Sequence, residues 1–279
     1  MDLVGHIHYF GVFIMLMEKM TTFDVKKALD EGKCVIVGFG SFEQHGPALP
    51  LDTDGLIARS IVNAVAEETG QIAAPVMHIG YSTPWLKYSG TITFRSETYL
   101  HVVLDILDSL IETGFRKVVI INCHGANPEL IKSAIRIIMD RFRFHEEKVE
   151  FLFFGSTTSA DKEAINKIRR SGEGGMWHAG ELETALYMFL DPDHVRREEI
   201  GDPNLAGVDI MMEYPPYTYM SEWFDPEKYR GYFGDPSAAS AENGKKFFDI
   251  IVKDISNTVR KFLDGEIKVR WERNSKGGI

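Results

Sequence analysis

Cys34-Val-Ile-Val-Gly-Phe39 is a continuous apolar run, rich in β-branched residues and bounded by glycine. Such a run suits a strand buried on both faces, as in a parallel sheet. The same type of run recurs at Lys117-Val-Val-Ile-Ile-Asn122 and Val149-Glu-Phe-Leu-Phe-Phe154, and a short strand is expected over Ile72 to Met77. Helical spacing fills the intervals. Thr21 or Thr22 can cap a helix over Phe23 to Asp30 that stops at Gly32. Leu56, Ile57, Ile61 and Val65 stripe a helix from Gly55 to Glu68, closed by Gly70. Tyr99 to Thr113, Pro128 to Arg143, Glu181 to Leu190 and Ala241 to Leu263 complete the set. Strands alternating with helices imply parallel βαβ units and a layered α/β fold. No linker splits the chain, so one domain is expected at 21–265, with an N-terminal extension at 1–20 and a C-terminal tail at 266–279.

Composition narrows the partners. The chain has 279 residues, 44% hydrophobic and 26% charged, with a formal net charge of −10. That apolar content is too high for disorder, and an acidic chain lacks the basic face that nucleic acid requires. Two cysteines, Cys34 and Cys123, form no disulfide framework, so a reducing, cytoplasmic setting is expected. Val4 to Met17 is apolar but lacks a basic n-region and is broken by His6, His8 and glycines. It reads as neither signal peptide nor membrane span. An extra strand, an oligomer contact, or a segment ahead of a start at Met17 or Met20 remain open. Gly201 to Ser240, with Tyr214-Pro-Pro-Tyr217, Tyr219, Trp223, Tyr229 and Tyr232, has little periodicity. An irregular insert of this length is functional or an interface.

Chemistry is written at three loop positions, and in parallel α/β sheets ligands bind beyond the carboxyl ends of the strands. The first stretch, Gly38 to Asp54, places Glu43, His45, Asp52 and Asp54 among rigid Gly and Pro turns. Asp52 or Asp54 can alternatively cap the next helix. The second, Asn122-Cys-His-Gly-Ala-Asn127, puts His124 on a glycine turn and Asn127 where it caps the next helix; nothing there activates Cys123 as a nucleophile. The third, Trp177-His-Ala-Gly-Glu-Leu-Glu-Thr184, joins His178 to two carboxylates two residues apart. Glu181 and Glu183 therefore point in different directions, and one of them at most shares a centre with His178. Together these stretches match a site for one or two divalent cations with O/N ligands, Zn²⁺, Mn²⁺ or Fe²⁺. A carboxylate bridging two ions can hold a hydroxide between them, with a remaining histidine to move the proton.

These stretches resemble the creatininase (creatinine amidohydrolase) superfamily. Its pattern Glu-Gln-His-Gly-Pro-His-Leu-Pro-Leu-x-Thr-Asp stands here as Glu43 to Asp54, with Ala48 in place of the second His. Its Asn-Gly-His-Gly-x-Asn stands as Asn122 to Asn127, its His-Ala-Gly-Glu-x-Glu-Thr as His178 to Thr184, and its Gly-Asp-Pro stretch as Gly234 to Gly244. The resemblance implies a three-layer α/β/α sandwich with a mainly parallel sheet, a homohexamer, and two metal ions per subunit. It places Glu43 and His124 on one metal, His45 on the other, and Asp54 between them. Ala126 stands where creatinine-hydrolysing members carry a ligand Glu, which makes Glu181 the expected substitute, Glu183 the weaker candidate, and creatinine a poor fit as substrate. His178 matches the proton-transfer residue. Trp85 replaces a polar pocket residue, and Trp85, Trp177 and Glu183 are pocket candidates.

The implied activity is metal-dependent hydrolysis of a C–N bond in a small cyclic amide or formamide, by attack of a bridging hydroxide. Ring opening of an oxidised inositol at a C–C bond, and a non-catalytic metal-binding scaffold, are the alternatives. The expected partner is a small molecule, with neither nucleic acid nor membrane.

Overall fold

The computed structural model describes residues 15–155, 161–205, 226 and 230–267. Five parallel strands form one sheet, in the order β1-β3-β2-β4-β5. They are β1 (Met15–Leu16), β2 (Val35–Phe39), β3 (Ile72–Ala73), β4 (Lys117–Asn122) and β5 (Glu150–Phe154). The helices are α1 (Thr22–Asp30), α2 (Thr53–Thr69), α3 (Ser96–Glu112), α4 (Pro128–Arg141), α5 (Lys162–Ile168), α6 (Glu181–Leu190) and α7 (Ala241–Leu263). The layered α/β reading is correct, and the central strands are buried except at Lys117, the first residue of β4.

Period-two alternation divides the strand side chains between two cores. Ile36, Val119 and Ile121 point to one face, under Ile57, Ile61 and Val65 of α2 and Phe247, Ile251 and Ile255 of α7. Val35, Val37, Val118 and Ile120 point to the other, under Val103 and Leu107 of α3 and Ile131 and Ile138 of α4. Three layers follow from this division. Among the described residues, no helix is long and apolar enough to cross a membrane.

Local chemistry sets the boundaries. Thr21 caps α1 through a reciprocal pair with Asp24, and Gly70 closes α2 in a left-handed conformation (φ 63°). The expected strand at Ile72 to Met77 is cut to two residues because Pro75 carries no N–H for the ladder. Pairing resumes at Met77, whose N–H donates to Gly38 O at 2.9 Å. At the N-terminal side, Met15 and Leu16 of the expected extension add a strand beside β3. His6 and His8 lie outside the described residues, as do Tyr214, Tyr217, Tyr219, Trp223 and Tyr229.

Candidate metal centre

The stretch after β2 folds back on itself, with the Glu43 N–H donating to Leu51 O at 3.0 Å and a bridge between His45 and Leu49. Glu43 and His45 both turn inward and are buried. Asp54 joins them from the first turn of α2, where the helix N-terminus favours a carboxylate. This approach is close: a Cβ on Gly40 would stand 2.7 Å from the Gly55 nitrogen, so only glycine fits there.

His124 follows β4, and a pair of asparagines ties its loop to the neighbours. Asn122 Nδ2 donates to His124 O at 2.7 Å and to Gly155 O at 2.8 Å. Asn127 Nδ2 donates to Gly40 O at 3.0 Å, while its Oδ1 accepts from the Tyr81 N–H at 3.0 Å. Asn127 stands at the N-cap position of α4 without a side-chain cap bond. The expected cap is thus a stitch between loops. Asp52 likewise makes no cap bond; its Oδ1 accepts from Tyr187 Oη at 2.9 Å.

The third stretch enters through a turn in which Gly180 N–H donates to Trp177 O at 2.7 Å and Ala179 takes a left-handed φ of 51°. A non-glycine residue there is strained and is held by its surroundings. Ala179 N–H donates to Glu183 Oε2 at 2.6 Å, and Phe233 N–H donates to His178 O at 2.8 Å.

Five side chains converge. Glu43, Asp54 and His124 present three ligand atoms within 4.8 Å of one another, as do His45, Asp54 and Glu183, with Asp54 in both of these groups; Glu43, His45 and His178 form a third. Asp54 Oδ1 lies 3.4 Å from His45 Nε2, and Asp54 Oδ2 lies 2.9 Å from His124 Nδ1. Glu183 Oε2 is 3.8 Å from His45 Nε2. The other nitrogens are occupied by carbonyls: His45 Nδ1 by Glu43 O at 3.1 Å, His124 Nε2 by Tyr81 O at 2.9 Å. In the neutral imidazoles, donation to those carbonyls would free the inward nitrogens, as metal-facing imidazoles require.

Both oxygens of Glu43, His45 Nε2 and Asp54 Oδ1 are buried and have no hydrogen-bond partner. Unpaired buried polar atoms are costly. A pair of cations between these groups would satisfy all four atoms, so the donor set fits divalent metal. The electrostatics agree. Burial alone would lower His45, but Asp54, Glu183 and Glu43 outweigh it and push it up to about 10. His124 rises to about 9 against its own burial, through Glu43 and Asp54. Burial would raise Asp54, yet His45 and His124 hold it well below the usual carboxylate range. Burial pushes Glu43 up and takes Glu183 to about 7.

His178 stands beside the cluster. Its Nδ1 lies 3.7 Å from Glu43 Oε1, and burial with the nearby His45 holds its pKa well below the ordinary value. Its ring stacks on Trp85, centroids 4.2 Å apart and 15° between planes.

Glu181 is the correction. It is fully buried, and its two oxygens accept from the Arg170 and Ser171 N–H groups, each at 2.8 Å. It pins the incoming loop to the start of α6 and stays out of the cluster, while Glu183, the weaker expectation, reaches it. Trp177 is half-buried and supplies the backbone of the turn. Cys123 is buried, with its thiol pushed well up by burial, which leaves it inert as a nucleophile. Sequence reasoning passed over Ser41, whose Oγ donates to Asp54 Oδ2 at 2.8 Å, and Gln44, which contacts His178. Position between two ligand residues was the available signal for Gln44.

Comparison with known proteins gives a consistent picture. The chain is 26% identical over 240 residues to the mycofactocin precursor peptide peptidase of Mycobacterium ulcerans (strain Agy99), covering 83% of this chain and 86% of that one. It is 27% identical over 244 residues to the creatinine amidohydrolase of Pseudomonas putida, covering 82% and 90%. A solved structure, "Creatininase Mn", superposes with a TM-score of 0.79 at 23% identity, over 89% of this chain and 98% of that one. The family model for creatininase, described as creatinine amidohydrolase, matches residues 18–259. By that match, and by the fold and motifs that accompany it, the chain belongs to the creatininase family of hydrolases.

Proposed function

We propose that this chain hydrolyses a C–N bond in a small cyclic amide or formamide on a centre of two divalent cations, zinc, manganese or iron. The observation that carries the reading is the set of four partnerless buried ligand atoms, with His178 Nδ1 beside them. Glu43 and His124 would hold one ion, His45 and Glu183 the other, and Asp54 both. When bound, the ions supply Lewis acidity toward a carbonyl oxygen and a water acidic enough to attack near neutral pH.

The residues divide the remaining work. His178 Nδ1 takes the proton from the attacking water and delivers it to the leaving nitrogen, so one C–O bond forms as one C–N bond breaks. Its low pKa keeps the ring a free base before the step. Trp85 closes one side of His178 against water. Ala126, the residue in the position that carries a Glu in creatinine-hydrolysing members, turns the substrate away from creatinine and toward another lactam or formamide.

The test is a screen of the metal-reconstituted protein over lactams, formamides and cyclic ketones, run beside His178→Ala. Turnover of an amide that falls about 100- to 10,000-fold in the variant at unchanged metal content supports the reading. Activity confined to cyclic ketones would move the bond cleaved to C–C. Equal turnover by wild type and variant would remove His178 from the chemistry.

A further inference from the structure

His178 needs an external device to set its ring. The second torsion of a histidine is broad and roughly two-fold, so the backbone alone fixes neither the plane nor which nitrogen faces the cluster. The backbone here is also unusual, since the next residue is the left-handed Ala179. The surroundings supply what the rotamer does not. Trp85 lies parallel to one face of the ring at 4.2 Å, and His45 tilts against it at 4.4 Å. At the ring's edge, Nε2 lies 3.0 Å from Gln44 O and 2.9 Å from Gln44 Nε2. The Gln44 amide is itself anchored, its Oε1 accepting from the Gly46 N–H at 3.0 Å.

Trp85 is well placed to act as a fixed wall. It is 6% exposed and ends a single 3-10 turn, Thr83–Trp85, in which its N–H donates to Ser82 O at 2.9 Å. Tyr88 meets its edge at 5.9 Å, and Phe233, whose N–H holds the His178 carbonyl, lies 5.9 Å away. The wall and the backbone of His178 are thus tied to the same neighbour.

We infer that Trp85 is a positioning residue for His178, fixing the ring plane by stacking, while the contacts with Gln44 hold the Nε2 edge and so turn Nδ1 toward the cluster. A 180° flip about the second torsion would keep the stack but lose the Gln44 contact, and a tilt would keep Gln44 but lose the stack. Each contact removes a motion that the other permits. The role rests on the proposed proton transfer at Nδ1, though the ring's seat exists independently of it.

The test reads the ring directly. Zinc-loaded protein labelled with ¹⁵N-histidine is compared as wild type, Trp85→Phe and Trp85→Leu, with the His178 signals assigned by their loss in His178→Ala. Wild type is expected to show one set of sharp His178 signals. Trp85→Phe keeps a planar face and is expected to retain that set. Trp85→Leu fills much of the volume without a face and is expected to split or broaden it at unchanged zinc content. On an amide turned over in the screen, Trp85→Leu lowers kcat by about 10- to 100-fold with little change in KM, and Trp85→Phe restores most of it. A Trp85→Leu spectrum identical to wild type overturns the inference. Failure of the proposed hydrolysis shows separately, as turnover that His178→Ala leaves untouched.

Discussion

The loop after β2 and the loop before α6 build the same centre by different means. The first is short, closes on itself through Glu43 and Leu51, and delivers Glu43, His45 and Asp54 within one compact turn. The second reaches the centre by way of a strained Ala179 and is pinned in place by Glu181. In the first loop Glu43, His45 and Asp54 face the cluster, while Asp52 turns away to Tyr187. In the second, two carboxylates of one helical turn divide, one reaching the cluster and one holding the backbone. Residue type and motif position therefore single out the inward-facing groups of the first loop, and only backbone conformation does so in the second.

The sharpest way to break this comparison is to neutralise each carboxylate in turn. Glu183→Gln is expected to lower bound metal from two ions to one per chain and to cut turnover by more than about 100-fold. Glu181→Gln is expected to keep both ions and to lose stability, by about 1.5–3 kcal/mol for its charge-assisted hydrogen bonds, or several degrees in Tm. Metal analysis and thermal unfolding of the two variants decide the matter; metal loss in Glu181→Gln with Glu183→Gln intact would reverse the assignment.

A smaller effect follows from protons. Without metal, His45 and His124 titrate near 10 and 9, above the ordinary histidine value near 6.5. The folded chain then binds more protons than the unfolded one between those limits. The stabilisation is full below about pH 6.5 and is lost as pH rises through 9 to 10. Metal-free protein is expected to fall in Tm from pH 7 to 10 more steeply than zinc-loaded protein. Zinc binding at pH 7 should release at least two protons, since both imidazoles must be bare to ligate and Glu183, near 7, gives up its share as well. Calorimetry in buffers of differing ionisation enthalpy measures that number, and release near zero would mean the two histidines are already bare without metal.

Much of the fold was legible in the sequence. The bounds of β4, α6 and α7 are those expected, because glycine, proline and polar residues punctuate them. Pro75 shortened β3, and α5 went unread because seven residues carry too little periodicity for a pattern. In the site, Glu43, His45, Asp54 and His124 could be singled out because they stand in the motifs, and the fold brings their side chains together. Asn127 was misread as a cap since a helix-start asparagine is ordinarily one, and here three loops compete for its amide. The choice of Glu183 over Glu181 depends on the φ of Ala179 and on two N–H groups ten and eleven residues upstream of Glu181, neither of which local pattern encodes.

The most direct test of the whole account is a count of metal. Purified chain, stripped and then reconstituted with zinc or manganese and freed of excess, is predicted to retain two ions per chain by elemental analysis. Retention of none, or of a single ion in the wild-type protein, would contradict a centre in which Asp54 joins Glu43 and His124 to His45 and Glu183.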